Sequence, residues 1–331
     1  MYIKLKLVAL LELAVILFLI FLVVKSNYGK SVEDLINDSE NGLLSPRVYT
    51  GLLQPKSYLI TNYAPLKSNF ESFIKKNNFN ISIYVENLRN GAFMGIDELK
   101  GYSPASLNKV MIAMLILKKI EDKKLSLTDL VFINDSFRSN DYGDLYRTQE
   151  TKLSVKTLLE KMLKESDNTA YFTLHTLIDK SDVELFLNYF DYYNEEGNSV
   201  NKNIDSEKLL ISPKTMYNIF SSLYLSTVLD QKDSEYILSL LSDSDLDIKK
   251  IALLPKNTTV SQKFGVGYEG ETTRYFHSCG IMYVEKSRVF YCIMTRGLEM
   301  NKGLKLIGLF VNRIYDYTVD SRKFLDEKKG V

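Results

Sequence analysis

The sequence has no tryptophan and, among its 331 residues, only two cysteines, two histidines and six prolines. Two cysteines are too few for a small disulfide-stapled fold or for a zinc site with four thiolate ligands. The 42 basic and 41 acidic residues give a net charge of +1, so no basic field exists to hold a nucleic-acid backbone. With 45% hydrophobic residues the chain can bury a large core, which argues against extended disorder.

The longest hydrophobic run lies at the amino terminus. Residues 7–24 are apolar except for Glu12, and a helix of that length nearly crosses a hydrocarbon core of ~30 Å. Lys4 and Lys6 precede the run and favour a cytoplasmic amino terminus. We expect a single-pass signal-anchor in the cell membrane; a cleaved signal peptide and a buried core helix are the alternatives. The expected division of the chain is 1–25 (anchor), 26–61 (tether), 62–320 (extracytoplasmic domain) and 321–331 (charged tail).

Hydrophobic periodicity predicts strands at both ends of the domain and helices between them. Residues 80–96 have the pattern of a β-hairpin that turns at Asn90-Gly91. Strand patterns return over 259–296, and most of residues 125–245 have helical spacing. This order predicts an α+β fold, in which strands from both ends form one antiparallel sheet and the insertion forms a helical subdomain.

A serine with a lysine three residues later stands at the start of a helix that is apolar on nearly all sides. Ser106 begins this helix, and Lys109 lies on the same helical face. A serine on a first turn is surrounded by free N–H groups and the positive helix end. A half-buried lysine loses its charge more easily and can then take the serine's proton. The pattern alone is weak, because Ser72 and Ser199 share it.

Two further motifs give Ser106 a chemical context. The only Ser-Asp-Asn in the chain spans residues 166–168, between two helical segments. Its hydroxyl can relay a proton, and its amide can orient a lysine and a substrate carbonyl. Lys-Phe-Gly spans residues 263–265 on the first strand after the insertion. A strand lysine gives a fixed positive charge for an anionic substrate, and a glycine beside it lets an extended ligand approach the strand edge.

In order and spacing, these three motifs resemble those of the penicillin-recognising serine hydrolases, specifically the class A β-lactamase-like family. The resemblance implies a three-layer α/β/α, β-lactamase/transpeptidase-like fold over roughly residues 62–320. It implies that Ser106 forms an acyl-enzyme with β-lactams or D-Ala-D-Ala-like amides, that Lys109 accepts the proton, and that Ser166 relays it. No metal or organic cofactor is implied, and we expect a monomer. The implied substrate contacts are Asn168, Lys263, Gly265 and Val266, whose backbone N–H forms an oxyanion hole with that of Ser106.

Two features depart from the family pattern. Phe264 stands where the family has a hydroxyl, so one donor to the substrate carboxylate is missing and we expect a narrower site. The family's Glu-x-x-x-Asn, which activates the deacylating water, is absent from the loop over residues 191–205. Its glutamate would fall near Glu195 or Glu196, and these form either a catalytic base or, as we favour, a solvated acidic turn.

Without that base the acyl-enzyme is expected to turn over slowly. A D,D-carboxypeptidase or penicillin-binding protein acting on peptidoglycan peptides is therefore the alternative to β-lactam hydrolysis. A catalytically silent module that binds the cell wall on the same fold is the alternative from another class.

Four other residues leave alternatives open. His277 opens a strand. It either borders the cleft or is a strand residue whose side chain has its hydrogen-bond partners within the fold. Arg296 ends the last strand and either adds positive charge near the carboxylate pocket or is solvated. Cys279 and Cys292 lie across a hairpin from each other, where we expect two buried free thiols rather than a disulfide or a metal site. The Gly-x-Gly-x-x-Gly over residues 265–270 precedes no helix, which argues against a dinucleotide site.

Overall fold

The computed structural model describes residue 18 and residues 61–192, 196–198, 210–269, 273–284 and 287–327. Apart from Phe18 and Thr61, the expected anchor and tether lie outside the described residues, and so does Glu195. Among the described residues, no helix combines the length and the hydropathy needed to cross a bilayer.

Helices and strands follow one another in the order that the hydrophobic pattern predicts. The helices are α1 (Ala64–Lys76), α2 (Asn108–Glu121), α3 (Val155–Lys164), α4 (Asn168–His175), α5 (Lys180–Tyr189), α6 (Pro213–Tyr224), α7 (Gln231–Ser242), α8 (Ile248–Ile251) and α9 (Met300–Glu327). The strands are β1 (Asn80–Asn87), β2 (Phe93–Ile96), β3 (Leu130–Phe132), β4 (Lys152–Ser154), β5 (Thr259–Glu269), β6 (Thr273–Val284) and β7 (Ser287–Arg296). The hydrophobic pattern does not predict β3, β4 or α8, because three or four residues are too few to show a period.

Five of the strands form one antiparallel sheet in the order β2-β1-β7-β6-β5. The strands β7 and β1, from opposite ends of the domain, are neighbours in this sheet. The helices α3 to α7 belong to the segment inserted between the first hairpin and the last three strands. The predicted α+β fold with one antiparallel sheet and a helical subdomain is therefore confirmed.

Residues of β7 alternate between two hydrophobic cores, one on each face of the sheet. Val289, Tyr291 and Ile293 belong to the core shared with α1, α8 and α9. Phe290 and Met294 belong to the core that contains α2 and the inserted helices. Because successive strand residues point to opposite faces, a buried central strand supplies both cores. Each fully buried side chain of this size contributes about 1.5–3 kcal/mol, and the result is three layers: helices, sheet, helices.

Two inserted helices begin at serines that cap their free N–H groups. Ser154 accepts a hydrogen bond from the Thr157 N–H at 3.1 Å, and Ser212 accepts one from the Thr215 N–H at 3.0 Å. Pro213 occupies the first helical position after Ser212, where its missing N–H is not needed. These caps fix where α3 and α6 start.

The expectation of two free thiols is wrong. Cys279 on β6 and Cys292 on β7 are direct partners in the antiparallel register, and a disulfide joins them. Both residues are fully buried and face the core that contains the inserted helices. Directly opposite residues are the closest cross-strand neighbours of an antiparallel pair, so the strand register places the two cysteines side by side.

Candidate active site

Ser106 lies in a single turn of 3₁₀-helix, Ala105–Leu107, that leads into α2. Its predicted position is the first turn of the long helix, whereas the α-helix begins at Asn108. Ala105 has a φ of 46°, in the left-handed region that costs a residue with a Cβ about 1–2 kcal/mol. Ser106 is half-buried, so part of its surface stays open to solvent.

Lys109 is buried at the start of α2, with 2% of its surface exposed. Its Nζ lies 2.7 Å from Asn168 Oδ1 and 3.2 Å from Ser166 Oγ, and it also donates to the Ser166 carbonyl oxygen. The structure therefore brings the first two motifs together around one nitrogen atom.

The three oxygen partners of Lys109 can be satisfied by a charged ammonium as well as by a neutral amine. A backbone carbonyl and an amide oxygen can only accept hydrogen bonds, so the Ser166 carbonyl and Asn168 Oδ1 take two N–H groups. A neutral amine then has a lone pair left for a hydroxyl. Burial lowers the pKa of Lys109 to about 7, against the opposing effect of the negative charge on Asp167. An amine with this pKa can accept a serine proton near neutral pH.

Asp167 acts on the backbone. Its carboxylate caps α4 by accepting the Ala170 N–H at 2.8 Å, and it accepts the Leu145 N–H at 2.9 Å. The residue is fully buried, and its neighbour Ser166 has a φ of 57°. Asp167 therefore ties a preceding loop to the start of α4 and fixes Ser166 and Asn168 on either side. The preference of aspartate for helix N-caps was the only sequence signal for this role.

Lys263, on β5, is 1% exposed. Its Nζ lies 3.5 Å from the Leu163 carbonyl oxygen. Burial and the nearby positive charge of Lys109 hold the pKa of Lys263 well below its ordinary value, against the opposing effect of Asp245. A carboxylate placed beside this amine would favour its charged form, so Lys263 can serve as an anion-binding group.

Gly265 and Gly267 let β5 pack directly against the turn that carries Ser106. A Cβ on Gly265 would lie 3.3 Å from the Pro104 carbonyl oxygen, and one on Gly267 would lie 3.3 Å from the Ala105 Cβ. Val266 lies between the two glycines and is half-buried. The strand backbone at Val266 therefore runs beside the turn, as the expected oxyanion hole requires.

Phe264 faces away from the site. It is 8% exposed and packs into the core shared with α1 and α9, whereas Lys263 next to it contacts the inserted residue Leu163. The expectation that Phe264 narrows the site is wrong, because neighbouring residues of a strand point to opposite faces. The hydroxyl that the family pattern has at this position is still missing.

His277 and Arg296 lie on the neighbouring strands β6 and β7. His277 is fully buried, and its Nε2 lies 3.0 Å from the carbonyl oxygen of Ser103, just before the turn that carries Ser106. Arg296 is half-buried, with its guanidinium 5.9 Å from the ring of Tyr275. Tyr275 and His277 share a face of β6. Both candidates therefore lie on the side of the sheet that carries Ser106, rather than in a distant part of the domain.

Glu196 is exposed to solvent. A Cβ on its neighbour Gly197 would lie 3.4 Å from the Leu99 side chain, so this turn packs near the loop after β2. The exposure of Glu196 favours the solvated acidic turn over a catalytic base. Its neighbour Glu195 lies outside the described residues.

Tyr171 was not among the candidates from the sequence. Its ring centroid lies 5.7 Å from Lys109 Nζ, and its hydroxyl accepts a hydrogen bond from Asn108 Nδ2 at 3.0 Å. The available signal was its spacing, since it follows Asn168 by three residues on one face of α4. Tyr171 therefore covers one side of the Lys109 amine.

Within the part of the chain that the structure describes, two groups of three carboxylates are close enough together to hold a metal ion: Asp144, Glu165 and Asp167, and Glu121, Asp230 and Asp233. In the first group Lys161 lies 2.8 Å from both Asp144 and Glu165. In the second group Glu121 lies 2.8 Å from Lys118 and accepts the Asp230 N–H at 2.7 Å. Ion pairs and backbone N–H donors therefore compensate much of the negative charge of the carboxylates in both groups.

The fold is similar to that of solved β-lactamases and a penicillin-binding protein. The extended-spectrum β-lactamase TLA-3 matches with a TM-score of 0.68 and 17% identity, over 78% of this chain and all of that chain. A β-lactamase from Chitinophaga pinensis matches with a TM-score of 0.66 and 15% identity, over 77% of this chain and 99% of that chain. PBP-A matches with a TM-score of 0.65 and 16% identity, over 78% of this chain and 97% of that chain. At these identities the similarity shows a shared fold.

Sequence comparison gives the family itself. No curated protein matches the chain. Residues 65–318 match the family model described as the beta-lactamase enzyme family. This match includes Ser106, Lys109 and the two companion motifs. Because it spans well over half of the chain, the protein belongs to the beta-lactamase enzyme family.

Proposed function

We propose that the protein is a serine hydrolase of the β-lactamase or penicillin-binding type, in which Ser106 attacks an amide carbonyl and forms an acyl-enzyme. The observation that carries this proposal is the environment of Lys109. Its buried amine, with a pKa of about 7, lies between Ser166 and Asn168, three residues after Ser106. Membership of the family supports a hydrolase of this type.

In the proposed reaction, the neutral amine of Lys109 takes the proton of Ser106 while Ser106 Oγ bonds to the carbonyl carbon. The carbonyl oxygen becomes negative, and the backbone N–H groups of Ser106 and Val266 stabilise it. As the C–N bond breaks, the proton passes from Lys109 through Ser166 to the leaving nitrogen. Water then attacks the ester, which releases the acid and restores the Ser106 hydroxyl.

The proposed substrates are β-lactams and D-Ala-D-Ala-like amides, both of which carry a carboxylate near the scissile bond. Lys263 supplies the positive charge for that carboxylate, and Arg296 at the end of β7 adds to it. The Asn168 amide contacts the substrate amide. A PBP-A variant has been solved as an acyl-enzyme complex with penicillin G, which supports a test of the same chemistry here.

A D,D-carboxypeptidase acting on peptidoglycan peptides is the second candidate. The exposure of Glu196 and the lack of a Glu-x-x-x-Asn over residues 191–205 favour it. Without a carboxylate to activate water, the ester at Ser106 persists. A silent wall-binding module would form no ester.

We also propose that the domain lies outside the cytoplasm, anchored in the cell membrane by a helix over residues 7–24. The length and hydropathy of that run support this location. So does the disulfide between Cys279 and Cys292, since such bonds persist in oxidising compartments.

Intact-mass spectrometry of the purified full-length protein with benzylpenicillin tests the proposed function. We expect a covalent adduct with the mass of one penicillin. Ser106→Ala should abolish the adduct, whereas Ser72→Ala, which alters an exposed serine with the same lysine spacing, should leave it intact.

The lifetime of the adduct distinguishes the candidates. A persistent adduct favours the peptidase, and rapid loss of the adduct with hydrolysed penicillin in solution shows a β-lactamase. If neither penicillin nor a D-Ala-D-Ala peptide gives an adduct or a product, the proposed function is wrong and the silent module is favoured.

A further inference from the structure

His277 is a buried group that the proposed reaction does not use as an acid or a base. It pairs with Gly265 in the register of β5 and β6 and has no exposed surface. Its Nε2 lies 3.0 Å from the Ser103 carbonyl oxygen. Ser103 stands three residues before Ser106, so this hydrogen bond joins the sheet to the segment that leads into the Ser106 turn.

The geometry defines the protonation of the ring. A carbonyl oxygen can only accept a hydrogen bond, so the Nε2 atom of His277 carries the proton. Nδ1 is buried and makes no hydrogen bond among the described residues, and the backbone groups of Ser103 and Phe276 only partly offset the effect of burial on the ring. Burial accordingly lowers the pKa of His277 to about 4. Near neutral pH the ring is a fixed, uncharged donor.

The turn has a conformation that neighbouring contacts must hold. The φ of 46° at Ala105 costs about 1–2 kcal/mol, which favours relaxation of the turn. The glycines of β5 support one side of the turn. Upstream, Tyr102 exchanges backbone hydrogen bonds of 2.8 and 2.9 Å with Ile211, and its ring meets the edge of His277 at 5.7 Å. The hydrogen bond to Ser103 lies between these two supports.

We propose that His277 is a positioning residue for acyl transfer, which holds the Ser103 carbonyl through its Nε2–H and so keeps the Ser106 turn in its strained conformation. This rests on the proposed function of Ser106 as the nucleophile. Loss of the donor misplaces Ser106 Oγ relative to Lys109, whereas Lys263 on β5 stays in place. The change therefore slows acylation more than it weakens the initial binding of substrate.

Two variants separate the effect of the hydrogen bond from the effect of side-chain packing. His277→Gln keeps an N–H donor at a similar reach, and His277→Leu keeps an apolar side chain of similar size without a donor. The only other histidine, His175, is exposed, so His175→Gln is the matched control. For each full-length variant, rapid-mixing kinetics with penicillin give the acylation rate constant and the dissociation constant of the non-covalent complex. Hydrogen–deuterium exchange of the backbone amides over residues 103–107 reports on the turn without any reaction.

We expect His277→Leu to slow acylation roughly a hundredfold, the cost of a misplacement of about 1 Å, with a much smaller change in the dissociation constant. His277→Gln should restore most of the rate, and amide exchange over the turn should be faster only in the leucine variant. Wild-type acylation rates in the leucine variant, or equal losses in both variants at unchanged melting temperatures, would overturn the proposal. If penicillin does not acylate the wild type, the test of the proposed function with penicillin fails, and amide exchange alone then tests the anchoring role of His277. Equal exchange in the leucine and glutamine variants would then overturn the anchoring role as well, and faster exchange in the leucine variant alone would support it.

Discussion

The amine of Lys109 on α2 and Asn168 Oδ1 on α4 lie 2.7 Å apart, although 59 residues separate them in the sequence. The inserted helices close this distance by packing α4 against α2 in the core on that face of the sheet. The contact takes one N–H of the amine, and the Ser166 carbonyl takes another. With these two partners a neutral amine keeps a lone pair, which a proton acceptor requires, and burial lowers the pKa of Lys109 towards that state.

The first prediction concerns the pH dependence of acylation. We expect the rate constant to rise with pH and to level off above pH about 7, the pKa of Lys109. Below that pH the amine binds a proton and loses its lone pair, so the rate falls about tenfold per pH unit. His277, with a pKa of about 4, stays neutral across this range. Single-turnover mixing with penicillin at several pH values measures the profile, and a flat profile across neutrality would exclude Lys109 as the base.

The second prediction concerns the buried charge of Lys263. Lys263→Met is expected to raise the melting temperature, because methionine fills a similar volume without the desolvation cost that lowers the lysine pKa. The same change removes the proposed positive partner of the substrate carboxylate. KM should therefore rise at least about tenfold, which corresponds to a loss of about 1.4 kcal/mol of binding free energy. Thermal unfolding and saturation kinetics measure the two effects.

Lys214 provides the matched control for that experiment. Burial lowers its pKa too, but its amine donates to Tyr84 Oη at 2.8 Å and lies 4.2 Å from the Tyr217 ring centroid. Lys214→Met should therefore lower the melting temperature, since a cation–π contact contributes about 0.5–1 kcal/mol, and should leave KM unchanged. A lower melting temperature for Lys263→Met, or an unchanged KM, would contradict the second prediction.

The sequence predicts the sheet and the major helices because the hydrophobic pattern of each repeats clearly over many residues. It also predicts that Ser106, Lys109, Ser166 and Asn168 act together, and the structure brings the last three into contact. Whether they are catalytic stays a prediction that the experiments above test. The alternation along β5 was equally visible in the sequence. Applied to Phe264, it would have placed that side chain opposite Lys263.

Other features depend on contacts between distant segments. The role of Asp167 becomes visible only when the Leu145 N–H is placed beside its carboxylate. The proposed role of His277 depends on its contact with Ser103, which lies 174 residues away. Hydrophobic patterns in one sequence do not determine such pairings. By contrast, the hairpin pattern correctly predicts that Cys279 and Cys292 lie opposite each other, and only the expectation of free thiols is wrong.

The third prediction concerns this disulfide. Unfolded but unreduced protein should take up no thiol-alkylating reagent, and reduced protein should take up two equivalents. Replacing Cys279 and Cys292 together by alanine should lower the free energy of unfolding by about 3 kcal/mol, the expectation for a closed loop of about 15 residues; here the two cysteines are 13 residues apart. Mass spectrometry and denaturant titration give the two results. Alkylation of the unreduced protein at both positions would instead show free thiols.

The fourth prediction compares two glycines with positive φ angles. Gly143 has a φ of 85° and Gly91 a φ of 73°, so alanine at either position costs about 1–2 kcal/mol in backbone strain. An added Cβ at Gly91 meets nothing within 4 Å, whereas one at Gly143 would lie 2.0 Å from the Asp167 carboxylate. Gly143→Ala must displace that buried carboxylate from its N–H partners, which adds about 1–3 kcal/mol for the groups left unpaired. Denaturant titration should show the larger loss for Gly143→Ala.

The same pair of variants tests whether Asp167 positions the site. Because its carboxylate fixes the start of α4, its displacement should shift Ser166 and Asn168 relative to the amine of Lys109. Gly143→Ala should therefore slow acylation by penicillin at temperatures where the protein is still folded, and Gly91→Ala should acylate at the wild-type rate. A misplacement of about 1 Å corresponds to roughly a hundredfold loss. If Gly143→Ala is less stable but acylates normally, then Asp167 stabilises the fold without positioning the groups around Lys109.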